Sequence, residues 1–172
     1  IRIDTSLREE IRLQLIKAGI DRQEKLEFVV SHPLNVNSST QLKKLFYDDL
    51  KLPAARNFKT GNLTADANAL ALFAQQEPML KPLCQLIVEL RSIGVFLHTF
   101  VEAALDSDGR MRCSFSIAGP ITFRFASSEN AFNSGMNLQN IPVAEKQKIK
   151  DKNYISLPNI RKLFIPDPGY TY

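Results

Sequence analysis

Two hydrophobic periods divide this chain. Up to about residue 105 apolar side chains recur every three or four positions, the spacing of one face of a helix; from Arg110 they alternate, the spacing of a strand. Ser6-Leu7-Arg8-Glu9 reads as a capping box, and Leu7, Ile11, Leu15 and Ala18 follow on one face. Gly19 and Asp21 either end that helix and cap another running to Val30 or kink one long helix; His32-Pro33 stops it in both cases. Ser38, with Gln41 three residues on, opens a helix carrying Leu42, Leu45, Phe46 and Leu50. Residues 51–63 hold Pro53, Gly61 and several polar or basic side chains and read as a loop. Thr64 is the expected cap of the next helix, with Asp66 suited to its positive end. After Pro78 comes the longest periodic run, Leu83, Ile87, Leu90, Ile93, Leu97, Val101 and Leu105, which as a helix spans roughly 40 Å.

Asp106-Ser107-Asp108-Gly109 is predicted to end that helix and turn the chain. Met111, Cys113, Phe115 and Ile117 then face one way and Arg110, Arg112, Ser114 and Ser116 the other. Ala118-Gly119-Pro120 makes a turn, and Ile121, Phe123 and Phe125 alternate with Thr122 and Arg124. If Ile117 pairs with Ile121, Phe115 faces Phe123 and Ser114 faces Arg124, a hairpin with one greasy and one cationic face. Residues 145–153 are lysine-rich, and Asn159 to Tyr172 leads towards another strand.

Composition narrows the classes. At 172 residues and 44% hydrophobic, the chain is a globular domain or a domain and a half, able to build a core. A net charge of +4 permits a polyanionic partner without requiring one. Cys84 and Cys113 are too isolated for metal-ligand spacing and read as reduced thiols of an intracellular protein. No uninterrupted apolar run approaches the ~20 residues of a membrane span, and no signal peptide is visible. The chain opens on Ile1 rather than methionine, so a longer parent is expected.

Candidate chemistry lies in the second half. Between Gly109 and Ser128 stand three arginines, Arg110, Arg112 and Arg124, and no acid; such a face needs solvent or an anion. Asn137-Leu138-Gln139-Asn140-Ile141-Pro142 follows. In extended chain Asn137 and Gln139 point the same way, while Leu138 and Ile141 anchor the loop. Amides and arginines offer donors to purine N3 and pyrimidine O2, minor-groove acceptors present in every correct base pair. A solvated sheet face and a loop of capping amides remain the alternatives. Lys59-Thr60-Gly61-Asn62 is a flexible basic loop able to lie against phosphates. Lys146, Lys148, Lys150 and Lys152, with Glu145 and Asp151 beside them, read as a solvated loop, and Arg91 and His98 as packing or solvated residues.

Catalytic constellations are missing. Asp48 and Asp49 are helical neighbours and diverge, Asp106 and Asp108 sit at a turn lacking the other oxygen ligands of a calcium loop, and His32 and His98 are remote from either cysteine. Phosphoryl transfer needs acids converging on magnesium, and no pair does, so the chain alone is expected to be catalytically silent.

Read end to end, the sequence resembles the thumb and first part of the palm of family A DNA polymerases, the DNA polymerase I type. The family's Thr-Gly-Arg-Leu-Ser-Ser is similar to Thr122-Phe123-Arg124-Phe125-Ala126-Ser127, and its Asn-Leu-Gln-Asn-Ile-Pro is matched in full by Asn137 to Pro142. Asn37-Ser38-Ser39-Thr40-Gln41-Leu42 resembles the segment before a thumb helix, and Ile160-Arg161-Lys162-Leu163-Phe164 the Ile-Arg-x-x-Phe that precedes the first catalytic aspartate. Phe123 stands for a glycine, Ala126 for a serine, and Ser128 to Met136 is a longer connection, which points to a phage-like or divergent member.

The resemblance implies an α+β, mainly helical fragment of a right-hand polymerase fold, with long antiparallel thumb-type helices and a small β-hairpin. Residues 1–108 would be the thumb-like region and 109–172 the start of the palm. Arg124 would reach the minor groove at the primer terminus, and Thr122 and Arg112 would be further DNA-binding residues. Asn137, Gln139 and Asn140 would hold primer and template, Arg161 would lie near the active-site floor, and Lys59, Thr60 and Asn62 would touch duplex at the thumb tip. The implied partners are primer–template DNA and the rest of the polymerase chain, with no membrane, in the cytoplasm of a bacterial or phage-infected cell. No cofactor is expected on this chain, though Mg2+ is expected for the parent. The rival is a non-catalytic DNA-binding or protein-interaction module.

Overall fold

The computed structural model describes residues 1–117, 124–130, 134–142 and 157–171. The chain is mainly helical with small antiparallel sheets, the fold class expected. Its contacts fall into two compact units, Ala18–Ile93 and the pair Ile1–Lys17 with Gly94–Tyr172.

Helix α1 (Thr5–Val30) is continuous through Gly19, so the single-helix alternative holds. Its cap is Asp4, not Ser6: the Asp4 carboxylate accepts from the Leu7 amide at 3.0 Å. A carboxylate at the N-terminal end has both the hydrogen bond and the helix dipole in its favour. The helix ends where Ser31 turns left-handed, φ 61°, just before His32-Pro33.

In the Ala18–Ile93 unit, Ser38 caps α2 (Ser39–Lys43) as predicted, accepting from the Gln41 amide. The Gln41 side chain turns instead to the Asn35 amide, so the cap is one-sided. A π-helical turn over Lys44–Asp49 follows and buries Leu45 and Phe46 but leaves Leu50 exposed. The wider turn takes Leu50 off the face that a 3.6-residue repeat assigns to it. Helix α3 (Ala67–Gln76) is capped by Asp66, whose carboxylate accepts from Asn68 and Ala69; Thr64, the expected cap, accepts from the Asp66 amide one step earlier. Asp66 is acidic below the usual carboxylate range, chiefly because the Ala69 amide stabilises its charge.

Phe46 and Phe73 stack at 5.0 Å in the centre of this unit, among Leu26, Leu42, Leu70 and Ile87. Helix α4 (Lys81–Phe96) runs antiparallel to α1 here: Gly19 lies against Ile93, and Arg22 bonds Glu89 at 2.6 Å. Arg91 on α4 donates to the Val36 carbonyl at 2.8 Å and the Ala65 carbonyl at 2.9 Å, tying two loops to the helix.

In the other unit a π turn (Leu97–Val101) extends α4 and stops there rather than at Leu105. The Arg8 guanidinium takes the carbonyls of Val101 and Ala103, an end-cap supplied from α1 and invisible to periodicity. The helical run Pro78–Val101 has an average hydropathy high enough to span a bilayer. It carries Glu89 and Arg91 in its middle, both hydrogen-bonded within the chain, and buries Ile87, Ile93 and Val101, as a core helix does.

Strand β1 (Arg2–Ile3), too short for the sequence to announce, pairs with β4 (Phe164–Ile165), where the strand lead-in was expected. Strands β2 (Ser114–Ser116) and β3 (Ala126–Ser128) form the predicted hairpin, but Phe115 faces Ser127 and Ser114 faces Ser128. The register differs by four residues from the pairing of Phe115 with Phe123, because Ser127 is fixed from outside the hairpin, as the next subsection shows. Nor is its apolar side buried: Phe115, Ile117 and Phe125 are all exposed.

The turn Asp106–Gly109 is as predicted, with Gly109 left-handed at φ 72°. Asp108 is a bidentate partner of Arg112, which also takes Asp106, while Arg110 pairs with Asp167 at 2.8 Å and 2.9 Å. The Arg112 hydrogen bonds hold the Asp108 carboxyl down at about 2.

Two outcomes are expected. Phe73→Ala lowers unfolding stability by ~3–5 kcal/mol, measurable as a shift in urea midpoint. Asp108→Asn lowers the melting temperature at pH 7. Because the folded carboxyl titrates below its unfolded value, the stabilisation is full above about pH 4 and is lost as pH falls through about 2. The gap between wild type and variant therefore closes in acid, and a gap constant from pH 7 to 2.5 would contradict the pairing.

Candidate nucleic-acid interface

Ser127 brings the two sequence motifs together. It is 6% exposed, and its hydroxyl donates to the Asn137 carboxamide oxygen and accepts from the Gln139 amide at 3.3 Å. The Gln139 side chain completes the junction: its oxygen accepts from the Ser127 amide at 3.1 Å, and its nitrogen donates to the Phe125 carbonyl at 3.0 Å. The loop is not extended, as the sequence suggests. Leu138–Asn140 is a 3₁₀ turn capped by Asn137, whose oxygen also accepts from the Gln139 amide at 3.0 Å. Asn137 and Gln139 do address a common target, but that target is β3 of their own chain.

The exposed groups are arranged around this junction. Arg124, just before β3, is exposed and makes no ion pair or hydrogen bond among the described residues. Asn140 is exposed at the end of the 3₁₀ turn. Arg161 sits on a second 3₁₀ turn (Ile160–Leu163), buried through Ile160 and Leu163, and donates to the carbonyls of Ile141 at 3.3 Å and Pro142 at 3.4 Å. Thr122 and the lysines at 146, 148, 150 and 152 lie outside the described residues.

The connection from β3 to the loop is held at both described ends. Asn130 and Ser134 bond each other and Asp106, which lowers the Asp106 carboxyl, chiefly through Ser134 and then Arg112. Gly135, φ 85°, lies so close to the Arg112 backbone that an added Cβ would meet its carbonyl oxygen at 1.6 Å. Met136 is buried beside it in sequence. An open cleft of about 550 Å³ borders the junction, lined by His98, Glu102, Ser128, Glu129 and Asn137 among others. His98 bonds Glu102 across one helical turn.

The charge balance differs from the sequence picture. Arg110 and Arg112 are not uncompensated: Asp106 and Asp108, just before the acid-free stretch, and Asp167, far beyond it in sequence, take them. Only Arg124 of the three keeps a guanidinium without a carboxylate partner among the described residues. Of the features missed, Ser127 had a signal, the closing serine of the first motif; Gly135 and Asp167 had none.

In the Ala18–Ile93 unit the loop tip carries Lys59, Thr60 and Asn62, all exposed. The Asn57 oxygen accepts from the amides of Lys59 and Thr60 at 2.9 Å and 3.2 Å, so the tip has a defined shape. Among the described residues no three acidic, histidine or cysteine side chains are placed to hold a metal ion. Asp106 and Asp108 are tied to Arg112, a pairing that does not leave them free to hold magnesium.

Known proteins resemble the chain over nearly its whole length. The family model "DNA polymerase family A" matches residues 7–172. DNA polymerase I of Caldicellulosiruptor bescii is 35% identical over 141 residues, 79% of this chain and 14% of that protein. The thermostable DNA polymerase I of Thermus aquaticus is 26% identical over 175 residues, 99% of this chain and 19% of its own length. The structure of the POL domain of Pol1 from M. smegmatis, in complex with DNA primer-template and dNTP, superposes with a TM-score of 0.77 at 26% identity, covering 99% of this chain and 27% of that one. The chain thus spans under a fifth of these curated relatives, and it belongs to DNA polymerase family A.

Proposed function

We propose that this chain is the part of a DNA-directed DNA polymerase that grips primer–template duplex through the minor groove and the phosphates during template-directed synthesis. In this assignment residues 1–108 are the thumb-like region and 109–172 the start of the palm. The observation that carries the reading is the Ser127 junction, which joins the strand after Arg124, exposed and without a carboxylate partner among the described residues, to a hydrogen-bonded carboxamide turn.

The roles within the junction follow from which groups are engaged. Both ends of the Gln139 carboxamide are bonded within the chain, so it positions β3 and the turn. Arg124 and Asn140, both exposed, are the donors left to meet purine N3 and pyrimidine O2. Those acceptors occupy similar places in all correct pairs, so the grip is blind to sequence and responsive to pair shape. Arg161, bonded to the carbonyls at the end of the turn, orients the loop from below. Arg112, engaged by two aspartates, contributes by holding the turn that feeds the hairpin. Lys59, Thr60 and Asn62 would meet phosphates behind the growing end. Polymerases of this family depend on Mg2+. Mg2+ is accordingly expected for the parent polymerase.

In the full-length protein, Arg124→Ala is expected to weaken primer–template binding by ~1–3 kcal/mol and to blunt the difference between matched and mismatched ends. Equilibrium titration with both ends checks this, and unchanged affinity for each would count against the minor-groove role. Ser127→Ala is expected to weaken binding as well, although its hydroxyl faces inward, because it removes the side chain that ties the Asn137 oxygen and the Gln139 amide to β3. Full duplex affinity in a folded Ser127→Ala protein would show that the junction does not set the interface.

A further inference from the structure

Phe58 makes no contact with the Phe46–Phe73 core of its unit. It is 102% exposed, the full area of a free side chain, at the tip of the loop between α2 and α3. Its neighbours are not loose. Arg56 pairs with Leu63 across the loop; the Asn57 amide donates to the Asn62 carbonyl at 2.9 Å, and the Gly61 amide to the Asn57 carbonyl at 2.8 Å. Gly61 is left-handed at φ 69°, and the Arg56 guanidinium donates to its carbonyl at 3.0 Å. With the Asn57 side chain bonded to the two following amides, the turn presents its phenyl ring in a fixed frame.

Isolated apolar side chains on a surface are ordinary, and the surroundings decide. The two next most exposed, Met79 and Phe28, have an acid within two residues in sequence, Glu77 and Glu27. Phe58 does not: from Lys51 to Ala65 there are three cations, Lys51, Arg56 and Lys59, and the acid that follows, Asp66, is spent on capping α3 and on the Asn57 side chain. A polyanion is drawn to such a tip, and the preorganised frame lets the ring make contact without an ordering penalty.

We infer that Phe58 is an apolar contact to duplex DNA, laid against the deoxyribose faces of the groove while Lys59 and Thr60 meet the flanking phosphates. This rests on the duplex-gripping reading above and adds a non-ionic component to it. Phosphate contacts alone weaken steeply with salt, whereas burial of a ring does not. The tip would therefore keep part of its hold at ionic strengths that release a purely cationic loop.

The test is titration of a labelled primer–template duplex with the full-length protein over a range of salt concentrations. Wild type is compared with Phe58→Ala, Phe58→Tyr, Lys59→Ala and Arg124→Ala. Phe58→Ala is expected to weaken binding roughly five- to thirty-fold, as for a partly buried ring, with the same slope of log affinity against log salt. Phe58→Tyr stays within about twofold of wild type, and Lys59→Ala reduces the slope by about one. If Arg124→Ala weakens binding but Phe58→Ala does not, the ring serves another partner, such as a protein, and this inference is overturned while the broader reading stands. A Phe58→Ala defect confined to single-stranded DNA also overturns it. Absence of duplex binding by wild type removes both.

Discussion

The arrangement of the candidate interface depends on how one hydroxyl is shared. Ser127 donates to one carboxamide motif residue and accepts from another, and in doing so joins a strand to a loop ten or more residues away. Neither piece would hold its shape alone. The β2–β3 ladder is three residue pairs long, and the 3₁₀ turn is a single turn. Short elements of this kind are marginal in water, and they persist when their backbone groups are satisfied by fixed partners. Here those partners are the side chains of Ser127, Asn137 and Gln139, each completing the other's hydrogen bonds. The same sharing set the hairpin register: with Ser127 held, β2 pairs with β3 where β3 is pinned, not where the hydrophobic alternation would be best matched.

The helical half was legible because periodicity reports burial directly. Leu42, Phe46, Ile87 and Val101 are where the 3.6-residue spacing puts them, and Ser38 caps as its sequence says. Errors cluster at ends. Asp4 in place of Ser6, Asp66 in place of Thr64 and the stop at Val101 were each decided by a local competition between donors or by a distant side chain, such as Arg8, that a linear pattern does not contain. The π turns were illegible for a related reason: they shift a side chain such as Leu50 by a fraction of a turn, and a periodic template has no term for that.

The site was legible in membership but not in chemistry. The motif residues Arg124, Asn137, Gln139, Asn140 and Arg161 do gather in one unit, yet Asn137, Gln139 and Arg161 direct their side chains to groups of their own chain. An amide in a sequence is only a donor and an acceptor; whether it meets a ligand or a neighbouring strand depends on contacts across many residues. The arginines show the same limit. Counting acids inside a window missed Asp106, Asp108 and Asp167, which lie outside the window in sequence but within hydrogen-bonding distance in space. A charge run is thus informative about partners only after its internal pairs have been removed.

One consequence of the Gln139 bonds concerns association between copies. A planar carboxamide that accepts from the Ser127 amide and donates to the Phe125 carbonyl occupies the side of β3 that faces away from β2. It does what the peptide group of an added strand would do. The β3 rim of the hairpin is therefore closed to edge-on pairing, and the exposed Phe125 beside it cannot recruit a second copy by extending the ladder on that side, the usual route by which a short, greasy hairpin begins to aggregate.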